Sequence, residues 1–388
     1  MKHNFRIIIG MLLLAIPLCM NAQVKPIKPA EEPKKVKVEK VEQEKLEKEM
    51  ADKESREKKE HKGGFEMPKI SGFVQGMYQA NLDEEGTLID NTLRMRRVRL
   101  SVDGTLFKGL TYKIQGDFSR SPMLVDAFVK YKVADAFAIQ LGQFKTPFSL
   151  ESPINPVNLE IFDYGEAIQG LVGYKDVCGV GSLGRDLGIM ATGSLFPVKG
   201  EEGIKYHVVN YALGVFNGNG ANQLDNNNRK DIVGRLEVHP GLKYLTLSGS
   251  YYYGKYTKDD NVNCTRNRWA AGAQYNDGKF VIRGEYISGK TGYLPTVIPE
   301  DLGYYNSNGY YGVVGYNFAL GKDKSQKLMP VLRYEHFDKN GLSGTDWYTV
   351  GINYWPLKSL NFKFDYSLIM TGSDIDGHRV VGILSYKF

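Results

Sequence analysis

Four arginines fall close together in this chain, at Arg94, Arg96, Arg97 and Arg99, and the guanidinium group is well shaped to recognise an oxyanion. Its planar fork meets phosphate or carboxylate oxygens two at a time, and it stays charged at any physiological pH. Around the arginines the residues alternate. Val98, Leu100, Val102 and Leu106 are apolar, whereas Arg97, Arg99, Ser101 and Asp103 are polar. Successive strand side chains point to opposite faces, so Arg97 and Arg99 belong to one polar face. The same alternation sends Arg94 and Arg96 to the apolar face, near its end, where a rim arginine could meet the phosphates of lipopolysaccharide. A row of such cations can pass an anion along, provided no site binds too tightly to release it. Lys130 with Lys132, like Arg97 with Arg99, lacks an acid two positions away, and Lys113 comes next. These five cations are the candidate anion pathway.

Other charged residues alternate with a counter-ion: Arg235 with Glu237, Arg283 with Glu285, Arg333 with Glu335, and Lys363 with Asp365. They read as wall ion pairs that brace neighbouring strands. No phosphate-cradling glycine loop, zinc spacing or nucleophile elbow occurs, and the histidines are scattered. Asp374, Asp376 and His378 could hold a metal, but solvation of a polar loop is the better account. Neither catalysis nor a cofactor or metal is therefore expected. The formal net charge is +6, and most of it lies before Gly64, so ion preference has to come from local placement. No basic cluster with interleaved aromatics argues for nucleic acid.

The elements that must carry these residues are strands. From Lys69 the pattern has period two, as in Leu110, Tyr112, Ile114, Gly116 and Phe118 or Leu360, Phe362, Phe364, Tyr366 and Leu368. Sixteen such segments follow, near 69–79, 93–105, 110–119, 124–133, 136–145, 186–196, 204–216, 231–239, 243–254, 268–276, 279–287, 309–318, 328–337, 346–355, 360–370 and 379–388. Most have the length a tilted strand needs to cross the apolar band of an outer membrane. Connections after even segments are mostly short, as at Ala134-Asp135 or Asn276-Asp277-Gly278-Lys279, and those after odd segments are mostly longer. A soluble sandwich has no reason to alternate so. The expected fold is an all-β transmembrane antiparallel barrel of about sixteen strands, residues 64–388, in a bacterial outer membrane.

Ahead of it, Lys2 and Arg6, the apolar run Ile7–Leu18 and Asn21-Ala22-Gln23 follow the order of a secretory signal, residues 1–22. Residues 23–63 are Pro- and then Lys/Glu-rich, with no sustained heptad, and read as a charged periplasmic extension. The chain ends in alternating residues closing on Tyr386 and Phe388. That ending resembles the signal read by the barrel-assembly machinery. Residues 146–185 are too long and apolar for a bare hairpin loop. Folding into the barrel to narrow a pore is the first reading, and packing between protomers is the second. Cys178 and Cys264 fall in outer loops on the same side of the membrane. In an exported chain this makes a disulfide a candidate, beside two separate thiols.

The stretch from Leu93 to Lys113, with its arginine-dense strand, Gly104-Thr105-Leu106-Phe107 turn and Tyr112-Lys113, resembles the phosphate-selective porin O/P family. Asp126-Ala127-Phe128-Val129-Lys130-Tyr131 and Leu141-Gly142-Gln143-Phe144-Lys145-Thr146-Pro147-Phe148 fit as well. The resemblance implies a homotrimeric porin with inward-folded loops, passing small anions such as phosphate or polyphosphate. A porin without anion preference and a non-transporting surface barrel remain the alternatives.

Overall fold

A computed structural model describes residues 67–181, 183–200, 203–242, 244–258, 262–292, 303–321, 324–341 and 343–388. The expected signal and the charged extension, residues 1–22 and 23–63, lie outside the described residues. The first strands are β1 (Lys69–Leu82), β2 (Leu88–Phe107), β3 (Leu110–Asp117), β4 (Leu124–Ala134) and β5 (Phe137–Lys145). After a long loop come β6 (Arg185–Gly200), β7 (Gly203–Phe216), β8 (Asp231–Val238), β9 (Leu245–Tyr253) and β10 (Lys255–Lys258). Next are β11 (Val262–Asn276), β12 (Phe280–Gly292), β13 (Tyr304–Tyr316) and β14 (Phe318–Leu320). Last are β15 (Gln326–Asp338), β16 (Thr345–Leu357), β17 (Leu360–Thr371) and β18 (Asp374–Lys387).

Every strand pair is antiparallel, and β1 pairs with both β2 and β18, so the sheet closes on itself. Two segments are continuations. β10 prolongs β9 along β11, and β14 prolongs β13 along β15. The wall thus has sixteen crossings, matching the sixteen periodic segments. The main difference is at the outer ends. The period predicts a second strand starting near residue 93, yet β2 starts at Leu88, because the β1–β2 hairpin keeps pairing beyond the apolar band.

Closure leaves no free edge, and the alternation then sorts the residues. Leu100, Ile114, Leu141, Leu213, Leu332 and Phe364 face outward, while Arg99, Gln115, Gln140, Arg333 and Asp365 are buried inside. Aromatic residues ring both ends of the outer surface. Trp269 packs near Tyr286 (centroids 5.2 Å apart) and Tyr334 near Tyr348 (5.1 Å) toward the outer end. Phe107 with Tyr131, and Phe280 with Tyr316, do so toward the periplasmic turns. Two girdles bounding an apolar band are the mark of a barrel seated in lipid.

The interior is filled by the connection between β5 and β6, residues 146–184, called L3 below. Its Phe148, Leu159, Ile161, Ile168 and Leu171 pack against Tyr252, Ile287, Tyr311, Val313 and Val331 of the wall. Burying a large apolar side chain contributes roughly 1.5–3 kcal/mol, so L3 is a docked element and not a tethered strap. It contains a short helix, Glu166–Leu171. The approach is close: a Cβ on Gly165 would collide with the Arg333 guanidinium, and one on Gly309 with Ala167.

Just beyond β18, the residue after Lys387 extends the β1–β18 ladder by two further bonds. Phe388 N donates to Gly72 O (3.1 Å) and accepts from Gly72 N at its carbonyl (2.9 Å), while its ring lies outward beside Tyr386. Deleting Phe388 removes both bonds and one girdle ring, besides the expected assembly signal. Heat-modifiable barrel in the outer-membrane fraction is therefore expected to fall severely. Deleting residues 34–62 should leave it near the parent level. Equal barrel levels in both deletions would reject a role for the terminal aromatic in assembly.

Candidate functional site: the lumen and its folded loop

The arginine-rich strand is irregular where it matters. Gln75 pairs with Arg97 but Gly76 pairs with Met95, so Arg96 is the extra residue of a β-bulge. A bulge resets the alternation beyond it. Leu93 and Met95 consequently face outward, and Arg96 turns into the barrel. This corrects the simple alternation, which sends Arg96 to the lipid side. Arg96 and Arg97 now grip one carboxylate, Asp163 of L3, with Arg97 Nη2 at 2.8 Å. Burial alone would favour the protonated acid, but the two guanidiniums outweigh it and hold the Asp163 carboxyl down at about 2.

The other acids of L3 also meet arginines, all on the far wall. Glu151 accepts from Arg333 Nη1 at 2.6 Å and lies 3.4 Å from Arg283 Nη2. Glu160 sits 2.5 Å from Arg283, Glu166 is 3.6 Å from Arg379, and Asp176 pairs with Arg268. The wall glutamates serve the loop backbone. Glu285 accepts from Leu150 N (2.6 Å) and Ser149 Oγ (2.9 Å), and Glu335 accepts from Ala167 N (2.9 Å). Asn353 Nδ2 donates to Glu160 O at 2.6 Å, and Lys363 Nζ donates to Leu159 O. Arg268, Arg283, Arg333, Lys363 and Arg379 on this side, β11 to β18, are thus turned to holding L3.

The near wall, β2 to β6, is arranged differently. Asp117 is shared by Arg99 (3.0 Å) and Arg120 (3.3 Å), as Asp163 is shared by Arg96 and Arg97. Arg185 pairs with Asp126 at 2.7 Å. Lys145 donates to Ile154 O (3.1 Å), Tyr164 Oη (2.8 Å) and Ser152 O, and among the described residues no carboxylate bonds to it. Lys113 and Lys130 form no ion pair among the described residues, and Lys132 pairs with Asp135 (2.6 Å). Toward the periplasm this wall opens into a cavity of about 390 Å³ lined by Lys130, Lys132, His207, Asn210, Arg235 and Glu237. Cations outnumber the carboxylates available to them along this side.

Several expectations change in detail. Arg97 and Arg99 have no acid two positions away on β2, but Asp163 and Asp117 reach them from L3 and β3. Arg235 does lie 3.3 Å from Glu237, and Arg333 lies 3.5 Å from Glu335. Arg283 and Glu285 form no ion pair with each other among the described residues, because each is turned to a different part of L3. The two cysteines of the candidate disulfide are brought into one buried apolar cluster with Tyr256, with no bridge drawn between them in this structure, and Cys178 Sγ is directed to Asp176 Oδ1 at 2.8 Å. Burial, reinforced by Asp176, pushes the Cys178 thiol up to about 12, which suppresses the reactive thiolate. The sequence reading missed Arg120, Lys145, Arg185 and the L3 acids as functional residues. The one signal for the last group was an otherwise apolar loop carrying five carboxylates, each of which needs a counter-ion once buried.

Comparison with known proteins agrees with this architecture. The anion-selective porin from Comamonas acidovorans superposes with a TM-score of 0.59 at 16% identity, covering 83% of this chain and 99% of that one. The outer membrane channel DcaP of Acinetobacter baumannii gives 0.57 at 13% identity, over 84% and 98%. The trimer form of OmpT from Vibrio cholerae gives 0.54 at 12% identity, over 83% and 99%. At such identities the likeness is one of fold. No curated protein matches the chain. The profile of the phosphate-selective porins O and P matches residues 69–277, more than half of the chain, with the arginine strand and the whole near wall inside it. The chain belongs to the phosphate-selective porin O and P family of bacterial outer-membrane porins.

Proposed function

We propose that this porin passes small anions, phosphate among them, along the near wall between β2 and β6. The observation that carries this is the ratio of charge. Two guanidiniums share each of Asp163 and Asp117, and Lys113 and Lys130 add charge with no ion-pair partner among the described residues, whereas every other L3 acid is matched on the far wall. A lumen with low-dielectric walls focuses such an excess into an attractive potential for anions. The family and the anion-selective relative support the same direction.

The test is electrical. Purified protein in planar bilayers under a potassium chloride gradient should show steady channels whose reversal potential lies toward the chloride equilibrium value. Millimolar phosphate should reduce the chloride current as it competes for the same cations. Reversal toward the potassium potential would overturn the proposal, and no steady channels would favour the surface-barrel alternative. The same reading includes cleavage after Ala22, a periplasmic extension over residues 23–63, delivery by the barrel-assembly machinery, lipopolysaccharide at the outer rim, and a homotrimer. Crosslinking of membranes before extraction tests the last.

A further inference from the structure

Away from the near wall, the outer mouth holds a second hollow of about 390 Å³. It lies between the helical turn of L3 and the wall formed by β15 and β16, with Lys339 and Ser343 from between those strands also in its lining. Its side is Trp347 and its floor includes Phe337. Trp269, Tyr286, Tyr310 and Tyr348 point outward and are substantially exposed, whereas Tyr305, Tyr311 and Phe337 are buried inside. Trp347 points inward, with part of its ring packed on the L3 core and part lining the hollow. An indole costs free energy when it faces water and gains it when a flat apolar group covers it.

The rim supplies charge. Lys175 reaches the hollow from L3 and Lys339 from the β15–β16 loop; both are exposed, and neither has an ion pair among the described residues. Glu166, the acid at the same hollow, is 3.6 Å from Arg379, which offsets its charge. Gln169 and Thr345 add an amide and a hydroxyl. None of the near-wall cations lines this hollow. A ring-sized apolar wall with two ammonium groups at its rim has the chemistry of a binding site.

We propose that this hollow binds small ring-bearing organic anions, such as aryl sulfonates or aryl carboxylates, with the ring on Trp347 and the anionic group between Lys175 and Lys339. The site concentrates such solutes at the channel mouth. It is distinct from the near-wall pathway, so it stands or falls separately from the conduction proposal.

Benzenesulfonate is a suitable probe, since it stays ionised and does not dissolve in lipid. Saturation-transfer NMR on the full chain folded in detergent should show transfer to its ring protons. Methanesulfonate, with the charge but no ring, and benzyl alcohol, with the ring but no charge, should bind much more weakly. Trp347→Ala should weaken benzenesulfonate binding by roughly tenfold, and so should the double variant Lys175→Gln with Lys339→Gln. Trp269→Phe, on the lipid side, should change nothing. Heat-modifiable migration reports folding in each case, and the surface lysine pair keeps the test open if the tryptophan variant fails to fold. Retained binding in the lysine variant, or equal binding of benzyl alcohol, would overturn the proposal. The chloride reversal potential should be the same in the parent and both variants whichever way the binding result falls.

Discussion

Glu151→Ala is expected to release L3 from the lumen and raise single-channel conductance severalfold. Glu151 is fully buried and accepts from Arg333 and Arg283 and also from Gly165 N at 3.1 Å. Alanine takes the 2.6 Å partner from the buried Arg333, which keeps only Glu335 at 3.5 Å, and leaves the Gly165 N–H without its acceptor, while Arg283 retains Glu160. Removing one partner of a buried ion pair costs about 3–5 kcal/mol, here charged against the docking of a single loop. The sixteen-stranded ladder does not depend on that loop, so the barrel should still assemble and migrate as a folded species. Released L3 should also become a target for added protease, which the parent resists. Glu237→Ala is the comparison, because Glu237 reaches L3 only indirectly, through Arg235, whose bond to Ser149 O (3.2 Å) does not need the acid. Unchanged conductance and protease resistance in Glu151→Ala would show that apolar packing alone holds L3.

The same residue shows where sequence reasoning stops. The barrel was legible because its signal is local: a period of two needs no knowledge of neighbours, and Arg97, Arg99, Ser101 and Asp103 do share a face. The inward folding of L3 was legible from its length and apolar content. Its partners were not. Glu151 and Arg333 are far apart in the chain, and their contact depends on how L3 turns inside a closed wall. Arg96 failed for a different reason. One extra residue inverts the alternation, and nothing in the run Met95-Arg96-Arg97 marks which residue bulges. Arg283 next to Glu285 invited a pairing on one strand, but buried groups take the partner with the best geometry, and here L3 supplies both. The charge excess on the near wall is likewise a property of who shares Asp117 and Asp163, which spacing cannot reveal.

That sharing makes the sign of selectivity testable at a single carboxylate. Asp117 has Arg99 at 3.0 Å and Arg120 at 3.3 Å, and it also accepts from Ser119 Oγ (2.7 Å) and Val98 N (3.2 Å). Replacing both arginines by glutamine changes the local charge from one excess positive to one negative, while the remaining hydrogen bonds keep the carboxylate in place. At an effective dielectric near 20, a unit charge ~8 Å from a passing ion is worth at most about 2 kcal/mol, and salt screens part of it. The chloride-to-potassium permeability ratio should therefore fall several-fold, and cation preference is expected at low ionic strength. Asp117→Asn should do the opposite, since it leaves two guanidiniums with no acid between them. Opposite shifts from the two variants, both larger at low salt, identify this group as part of the selective wall. Shifts of the same sign would mean that the variants act by distorting the strand, and the near wall would lose its claim to set the ion preference.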